Sequence, residues 1–178
     1  VVAFIVLGAT LGLGEHTEAV TPYWVARFLL WEIVVGVGVG AAGEGFVSLG
    51  TSGVVFVASD QYTPNPAQAV HAFCHALPNR WHQMSVMLSA ASALSWAKHT
   101  LNVSSEGVLL DLAATLPAPA RAQAPLFLPY LTGERSPHNN ANAQATWFGL
   151  TATHDTAALA YAVAEGVGFG LLDGLQTL

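Results

Sequence analysis

Two short β-type runs, Phe46-Val47-Ser48-Leu49 and Val54-Val55-Phe56-Val57, flank Gly50-Thr51-Ser52-Gly53, and this spacing predicts a hairpin with a glycine-flanked turn. Asp60 to Pro66 reads as a loop from its Pro and Asn content. A second hairpin is predicted from the apolar stretches His71 to Leu77 and Trp81 to Leu88, divided by Pro78-Asn79. Ser89 to Leu101 then turns alanine-rich, with Ala90, Ala93, Leu94 and Ala97 at helical spacing. Ser104 and Glu106 open a further short helix through Leu116, and a Pro-Ala linker over Pro117 to Pro125 ends it. Phe127 to Leu131 reads as a strand and Thr132 to Asn142 as a long polar loop. Asp155 or Thr156 caps a final helix running to the terminus. The aromatic-rich opening shows no comparable period, so residues 1–35 stay unassigned and 36–178 form one α/β domain.

Composition narrows the classes. The chain has 178 residues, enough to bury a sizeable core, and 53% of them are hydrophobic. Only 9% are charged, against about a quarter in an ordinary soluble domain. The cations Arg27, Arg80, Lys98, Arg121 and Arg135 stand singly in a chain of net charge -6. No basic stripe is available to neutralise a phosphate backbone, so nucleic acid is not an expected partner. Cys74 is the one cysteine; it can form no internal disulfide or thiolate cluster, which favours a reducing compartment, the cytoplasm. A spanning helix needs about 20 apolar residues. The run from Val1 to Gly14 closes at Glu15 and Glu18, and Thr21 to Gly40 contains Pro22, Arg27 and Glu32. No membrane span is expected, and no basic residue precedes the opening apolar run as a signal peptide requires.

Three constellations have chemical content. In Gly50-Thr51-Ser52-Gly53, two glycines flank two hydroxyls, so backbone N–H groups and hydroxyls can approach phosphate oxygens. The local sequence fits an ordinary tight turn as well. His71, His75 and His82 invite a metal reading, but strand residues four apart lie about 13 Å from each other. No thiolate or carboxylate spacing accompanies them, so no metal site is expected. Gly133 to Asn140 gathers a carboxylate, a guanidinium, an imidazole and two amides after an apolar strand, a common place for functional residues. A solvated loop in which Arg135 pairs with Glu134 or Glu165 is the plainer reading. No general base stands out, and no catalytic residue is selected.

Taken together, several stretches resemble the FGGY family of carbohydrate kinases. They are Ser48-Leu49-Gly50-Thr51-Ser52-Gly53, Ala69 to Pro78 (AVHAFCHALP), Met84 to Ser92 (MSVMLSAAS) and Phe127 to Asn140 (FLPYLTGERSPHNN). The resemblance runs in the expected order from about Gly36 to Leu178. In Ala145 to Glu165 it extends to the family's second signature through Ala145, Trp147, Gly149, Leu150, Leu159, Ala162, Val163 and Glu165. Ala158 and Ala164 depart from that signature.

The resemblance implies an α/β domain of the actin-like ATPase (ribonuclease H-like) type, a mixed sheet flanked by helices. In the family two such domains close on a cleft, sugar held mainly by the first and ATP mainly by the second. This chain resembles the second; the first is either missing or represented by the unassigned residues 1–35. The implied activity is transfer of the ATP γ-phosphoryl to the 5-hydroxyl of D-xylulose, with Mg²⁺. Alternatives are a catalytically inactive fragment or a family member acting on another pentulose or polyol; a homodimer is left open. By resemblance, the turn Gly50, Thr51, Ser52 and Gly53 cradles the β and γ phosphates with its backbone amides and Thr51, and Ala91 and Ser95 contact the nucleotide. Gly166, Gly168 and Gly170 thin one face of the last helix against the sheet. The family's base Asp stands in a Gly-Asp-Asn-Ala-Ala stretch just before Val37; Glu32-Ile33-Val34-Val35 occupies that neighbourhood, so the base is not carried over. A Gly-Gly-Gly-Ala motif over the adenine is expected beyond Leu178. Arg135 is expected to pair bidentately with Glu165 and to organise its loop.

Overall fold

The computed structural model describes residues 4–7 and 39–178. The expectations for residues 8–38, including the Glu32 to Val35 junction, lie outside the described residues. A five-stranded sheet has the order β1-β2-β3-β5-β4, with β1 Phe4–Leu7, β2 Gly45–Leu49, β3 Gly53–Ser59, β4 His71–Cys74 and β5 Trp81–Met87. β1 runs parallel to β2 and every other pairing is antiparallel, so the sheet is mixed. Both predicted hairpins form: Leu49 pairs with Gly53 across the first turn, and Cys74 with Trp81 across the second.

Helices cover the sheet where the sequence turns alanine-rich. In α1 (Ala91–Thr100), Ala93, Leu94 and Ala97 share the buried face that their spacing predicts. The α2 helix (Glu106–Thr115) begins one residue later than expected. Ser105, not Ser104, is its cap, its hydroxyl accepting from the Val108 N–H at 3.2 Å. The Pro-Ala linker contains a short α3 (Ala118–Arg121), which tolerates Pro119 because first-turn N–H groups have no helical partner. The expected strand from Phe127 shortens to β6 (Leu126–Leu128), since Pro129 has no N–H to continue a ladder. Its partner β7 (Thr146–Phe148) was not predicted; three residues are too few to show an alternation. Asp155, rather than Thr156, caps α4 (Thr156–Leu175), its carboxylate accepting from the Ala158 N–H at 2.9 Å.

The α4 helix is the spine of the domain. Ala160, Val163 and Val167 join Met87, Leu109 and Phe127 in the main core. Its contact stripe differs from the expected Gly166, Gly168 and Gly170, because residues two apart on a helix point about 200° from each other. Gly166, Gly170 and Gly174 form the stripe. A Cβ on the first would collide with the Phe127 carbonyl oxygen; on the second it would lie 2.9 Å from Met87 Cε, on the third 2.5 Å from Ser85 Oγ. Gly168 faces open space. This helix is also long and apolar enough to cross a bilayer by length and composition, with a mean hydropathy of 1.3 that the search for charge-free runs did not single out. Its buried face is occupied by α2 and the sheet.

Candidate functional site: a turn mounted on the start of a helix

The Gly50 to Gly53 turn is fastened to α1 through its carbonyls. The Gly50 oxygen accepts from the Ala91 N–H at 2.9 Å, and the Thr51 oxygen from Ala90 N–H at 3.0 Å and Ser92 N–H at 3.3 Å. The Ser92 hydroxyl adds a fourth bond to the Thr51 oxygen at 2.9 Å. These bonds consume the free N–H groups at the helix start, so the helix terminus is not itself an open anion site. Both turn peptides are trans, and in a trans peptide the N–H points opposite to the C=O. With the Gly50 and Thr51 carbonyls aimed at α1, the N–H groups of Thr51 and Ser52 are aimed away from it. Neither donates to any partner among the described residues. Thr51 is exposed at the tip and Ser52 is half-buried.

The remaining nucleotide candidates are placed differently. Gly53 is buried, and a Cβ there would lie 2.7 Å from Leu171 Cδ2 and 3.0 Å from Ala90 Cβ. Its smallness serves the packing of β3 against α4. Ala91 lies in the first turn of α1, its N–H taken by Gly50. The Ser95 hydroxyl donates to Glu106 Oε1 at 2.9 Å, an oxygen shared with Lys98 Nζ at 2.8 Å. The bond from Lys98 is the main reason the Glu106 carboxyl is pulled down to about 2. Ser95 thus ties α1 to α2 on this chain's own terms.

The Gly133 to Asn140 loop lies against the same assembly. Glu134 is 3% exposed, and its Oε1 accepts from the Leu88 N–H at 2.9 Å and the Arg135 N–H at 2.7 Å. Its Oε2 is buried with no partner. Burial pushes this carboxyl above its usual range, against the two amide bonds that favour the anion. The Ser136 hydroxyl accepts from the Val86 N–H at 3.2 Å and donates to the Ala69 carbonyl at 2.9 Å. Leu88 in turn accepts from the Ser52 hydroxyl at 3.3 Å. Turn, β5 end and loop are therefore laminated through one bend, Leu88 to Ala90. Sequence reasoning passed over Leu88, Ser92, Glu134 and Ser136 as site residues; two hydroxyls and a carboxylate flanking a strand end were the signal available.

Arg135 does not pair with Glu165. Its guanidinium is exposed and meets His71 Nε2 at 3.2 Å, while Glu165 accepts from the Tyr161 hydroxyl at 2.8 Å. Successive loop residues point to opposite sides, so Glu134 turns inward and Arg135 outward. Among the histidines, His75 accepts from the Leu77 N–H on Nδ1 at 3.0 Å and faces the Val39 carbonyl with Nε2 at 3.2 Å. That arrangement assigns the proton to Nε2. No group of three His, Cys, Asp or Glu gathers among the described residues.

Residues 45–178 match the C-terminal domain of the FGGY family of carbohydrate kinases. The xylulose kinase of Escherichia coli K12 is 51% identical over 144 residues, which is 81% of this chain and 29% of that protein. Among solved structures, the xylulose kinase of Brucella ovis is 48% identical with a TM-score of 0.73, covering 80% of this chain and 29% of its own. A gluconate kinase of Lactobacillus acidophilus is 30% identical with a TM-score of 0.72, covering 83% and 30%. The chain thus spans under a third of the length of the relatives it matches. The mixed sheet with its covering helices is the actin-like ATPase fold expected from the motifs. With 134 consecutive positions accounted for by the family's domain, the chain belongs to the FGGY family of carbohydrate kinases.

Proposed function

We propose that this domain is the nucleotide-binding part of an ATP-dependent D-xylulose kinase, and that the Gly50 to Gly53 turn holds the phosphates of ATP. The observation that carries the phosphate assignment is the pair of outward N–H groups at Thr51 and Ser52, both without partners among the described residues and held in place by the pinned carbonyls behind them. Two oriented amides and the exposed Thr51 hydroxyl suit phosphate oxygens, which accept hydrogen bonds only. Ala91 and Ser95 belong to the same proposal as nucleotide neighbours, Ser95 as the less free of the two.

The γ-phosphoryl group passes to the 5-hydroxyl oxygen of D-xylulose and ADP leaves; positioning and charge neutralisation dominate such a transfer. Mg²⁺ would enter with the nucleotide and would neutralise charge on the phosphate oxygens. No described residue is assigned as the base that takes the hydroxyl proton. An exposed, unpaired Cys74 suits a reducing cytoplasm.

The identity to xylulose kinases favours D-xylulose, and the likeness to a gluconate kinase makes gluconate the competing substrate. Incubating the complete protein with MgATP and D-xylulose, D-ribulose, gluconate or glycerol, and identifying products by mass and NMR, separates these. D-Xylulose 5-phosphate should be the dominant product. Gluconate 6-phosphate as the dominant product would overturn the sugar assignment, and no ATP-dependent product would overturn the kinase reading.

A further inference from the structure

Glu134 is the one buried carboxylate among the described residues. No ion pair explains it, since Arg135 beside it is exposed and turned to His71. A buried, unpaired carboxyl is costly, and pinning a loop to a strand does not require one: Ser136 makes two such bonds with a hydroxyl two residues later. The distinctive property of Glu134 is its reach. Its Oε1 bonds the N–H of Leu88, where β5 has ended and the chain bends toward α1. The carbonyl of that residue takes the Ser52 hydroxyl. The next residues, Ala90 and Ala91, donate to the carbonyls of Thr51 and Gly50. The bend is thus the mount on which the turn sits, and Glu134 anchors its first N–H.

We infer that Glu134 is a positioning residue for nucleotide: by holding Leu88 it fixes the bend that aims the Thr51 and Ser52 N–H groups at the phosphates. The inference rests on the assignment of the turn to the phosphates. It assigns Glu134 no contact with the reacting atoms. The needed feature is an acceptor at the Oε1 position, at the length of a glutamate side chain, and not the negative charge.

The test is the affinity of the complete kinase for MgADP, by calorimetry, with melting temperature recorded for each variant. Glu134→Gln keeps an acceptor oxygen and the length, and should bind within about twofold of the parent. Glu134→Asp keeps the charge but withdraws the oxygen by one methylene, and should weaken binding about tenfold, as should Ser52→Ala, on the scale of one hydrogen-bond energy. Because both act through Leu88, the double variant should be little worse than the weaker single one. Thr51→Glu is the control for the turn itself. If Thr51→Glu abolishes binding while Glu134→Asp binds as the parent does, whatever its melting temperature, Glu134 is merely structural and the inference is overturned. Equal weakening by Glu134→Gln and Glu134→Asp overturns it too, because an acceptor at glutamate length would then not be enough to hold the bend. If Thr51→Glu leaves affinity unchanged, the turn assignment itself fails and the inference falls with it. Should Glu134→Asp not fold, Ser52→Ala decides: unchanged affinity in that variant breaks the link through Leu88.

Discussion

Ser52 and Glu134 hold one residue between them: the Ser52 hydroxyl donates to the Leu88 carbonyl at 3.3 Å, and Glu134 Oε1 accepts the Leu88 N–H at 2.9 Å. They are 82 positions apart in the chain. The motif stretches at Gly50 to Gly53 and Gly133 to Asn140, separate in the sequence, consequently meet at the bend that precedes α1.

Gly53 is a packing residue at the end of the turn. Its missing Cβ leaves room for Leu171 and Ala90 at 2.7 and 3.0 Å. Leu171 can rotate, but the Ala90 Cβ cannot. Gly53→Val should therefore overpack the junction and cost about 1–3 kcal/mol, read by urea denaturation, whether or not nucleotide is present. At Gly50 the nearest neighbour of an added Cβ is the Ser52 carbonyl at an ordinary 3.5 Å. Gly50→Ala should stay within about 0.5 kcal/mol of the parent. A larger loss at Gly50 than at Gly53 would contradict this packing.

The glycines of α4 offer a test of opposite signs. A Cβ at position 166 meets the Phe127 carbonyl oxygen, a backbone atom that can move only with β6. Gly166→Ala should lower stability by more than about 1 kcal/mol. Gly168 faces open space, so Gly168→Ala should raise it by about 0.5–1 kcal/mol through helix propensity alone. Thermal unfolding of the two variants side by side checks the stripe. Equal shifts of the same sign would show that the helix sits differently on the sheet.

The two neighbours Glu134 and Arg135 should behave oppositely to what their charges suggest. Arg135→Ala removes an exposed guanidinium with no carboxylate partner among the described residues and should change stability by no more than about 0.5 kcal/mol. Glu134→Ala strips a buried acceptor from two N–H groups and should cost about 1–3 kcal/mol for each left unpaired. Chemical denaturation ranks them directly. A larger loss at Arg135 would mean that its pairing with a carboxylate, expected from the sequence, forms after all.

A pH dependence should arise from His82, stacked on Phe56 with ring centroids 4.6 Å apart. Burial, and then the nearby His75, lower its value from the ordinary 6.5. The folded state thus prefers the neutral ring more strongly than the unfolded state does. Its contribution to stability is full above 6.5 and is lost as pH falls through 6.5 toward the lowered folded value. His82→Phe should flatten the fall in melting temperature between about pH 7 and pH 5. An unchanged slope would remove His82 as its source.

Most of the architecture was legible because it rests on local signals. The Gly50 to Gly53 turn lies between two short strand-type runs, and Ala93, Leu94 and Ala97 keep helical spacing, so both elements follow from short-range pattern. The β7 strand, three residues ending at Phe148, carries no period. The Gly166, Gly170 and Gly174 stripe requires knowing that Phe127, Met87 and Ser85 lie beneath it. The same limit explains Arg135. Scarcity of charge suggested an ion pair, but the side on which a loop residue points is decided by its neighbours' bonds. Here Glu134 takes the inward position by reaching Leu88, and Arg135 is left outside. The fastening of the turn was equally hidden, because its carbonyls are pinned by Ala90, Ala91 and Ser92, residues that the sequence pattern places in a separate helix.

The most direct test of the turn as the phosphate site is the affinity of Thr51→Glu for MgADP. Thr51 is exposed, so the substitution should leave the fold intact by circular dichroism while placing a carboxylate where phosphate oxygens approach two amides. Like-charge juxtaposition of this kind costs several kcal/mol, and calorimetry should record a loss of at least about a hundredfold. A folded Thr51→Glu variant that binds MgADP as tightly as the parent would contradict the assignment of the Gly50 to Gly53 turn to the nucleotide.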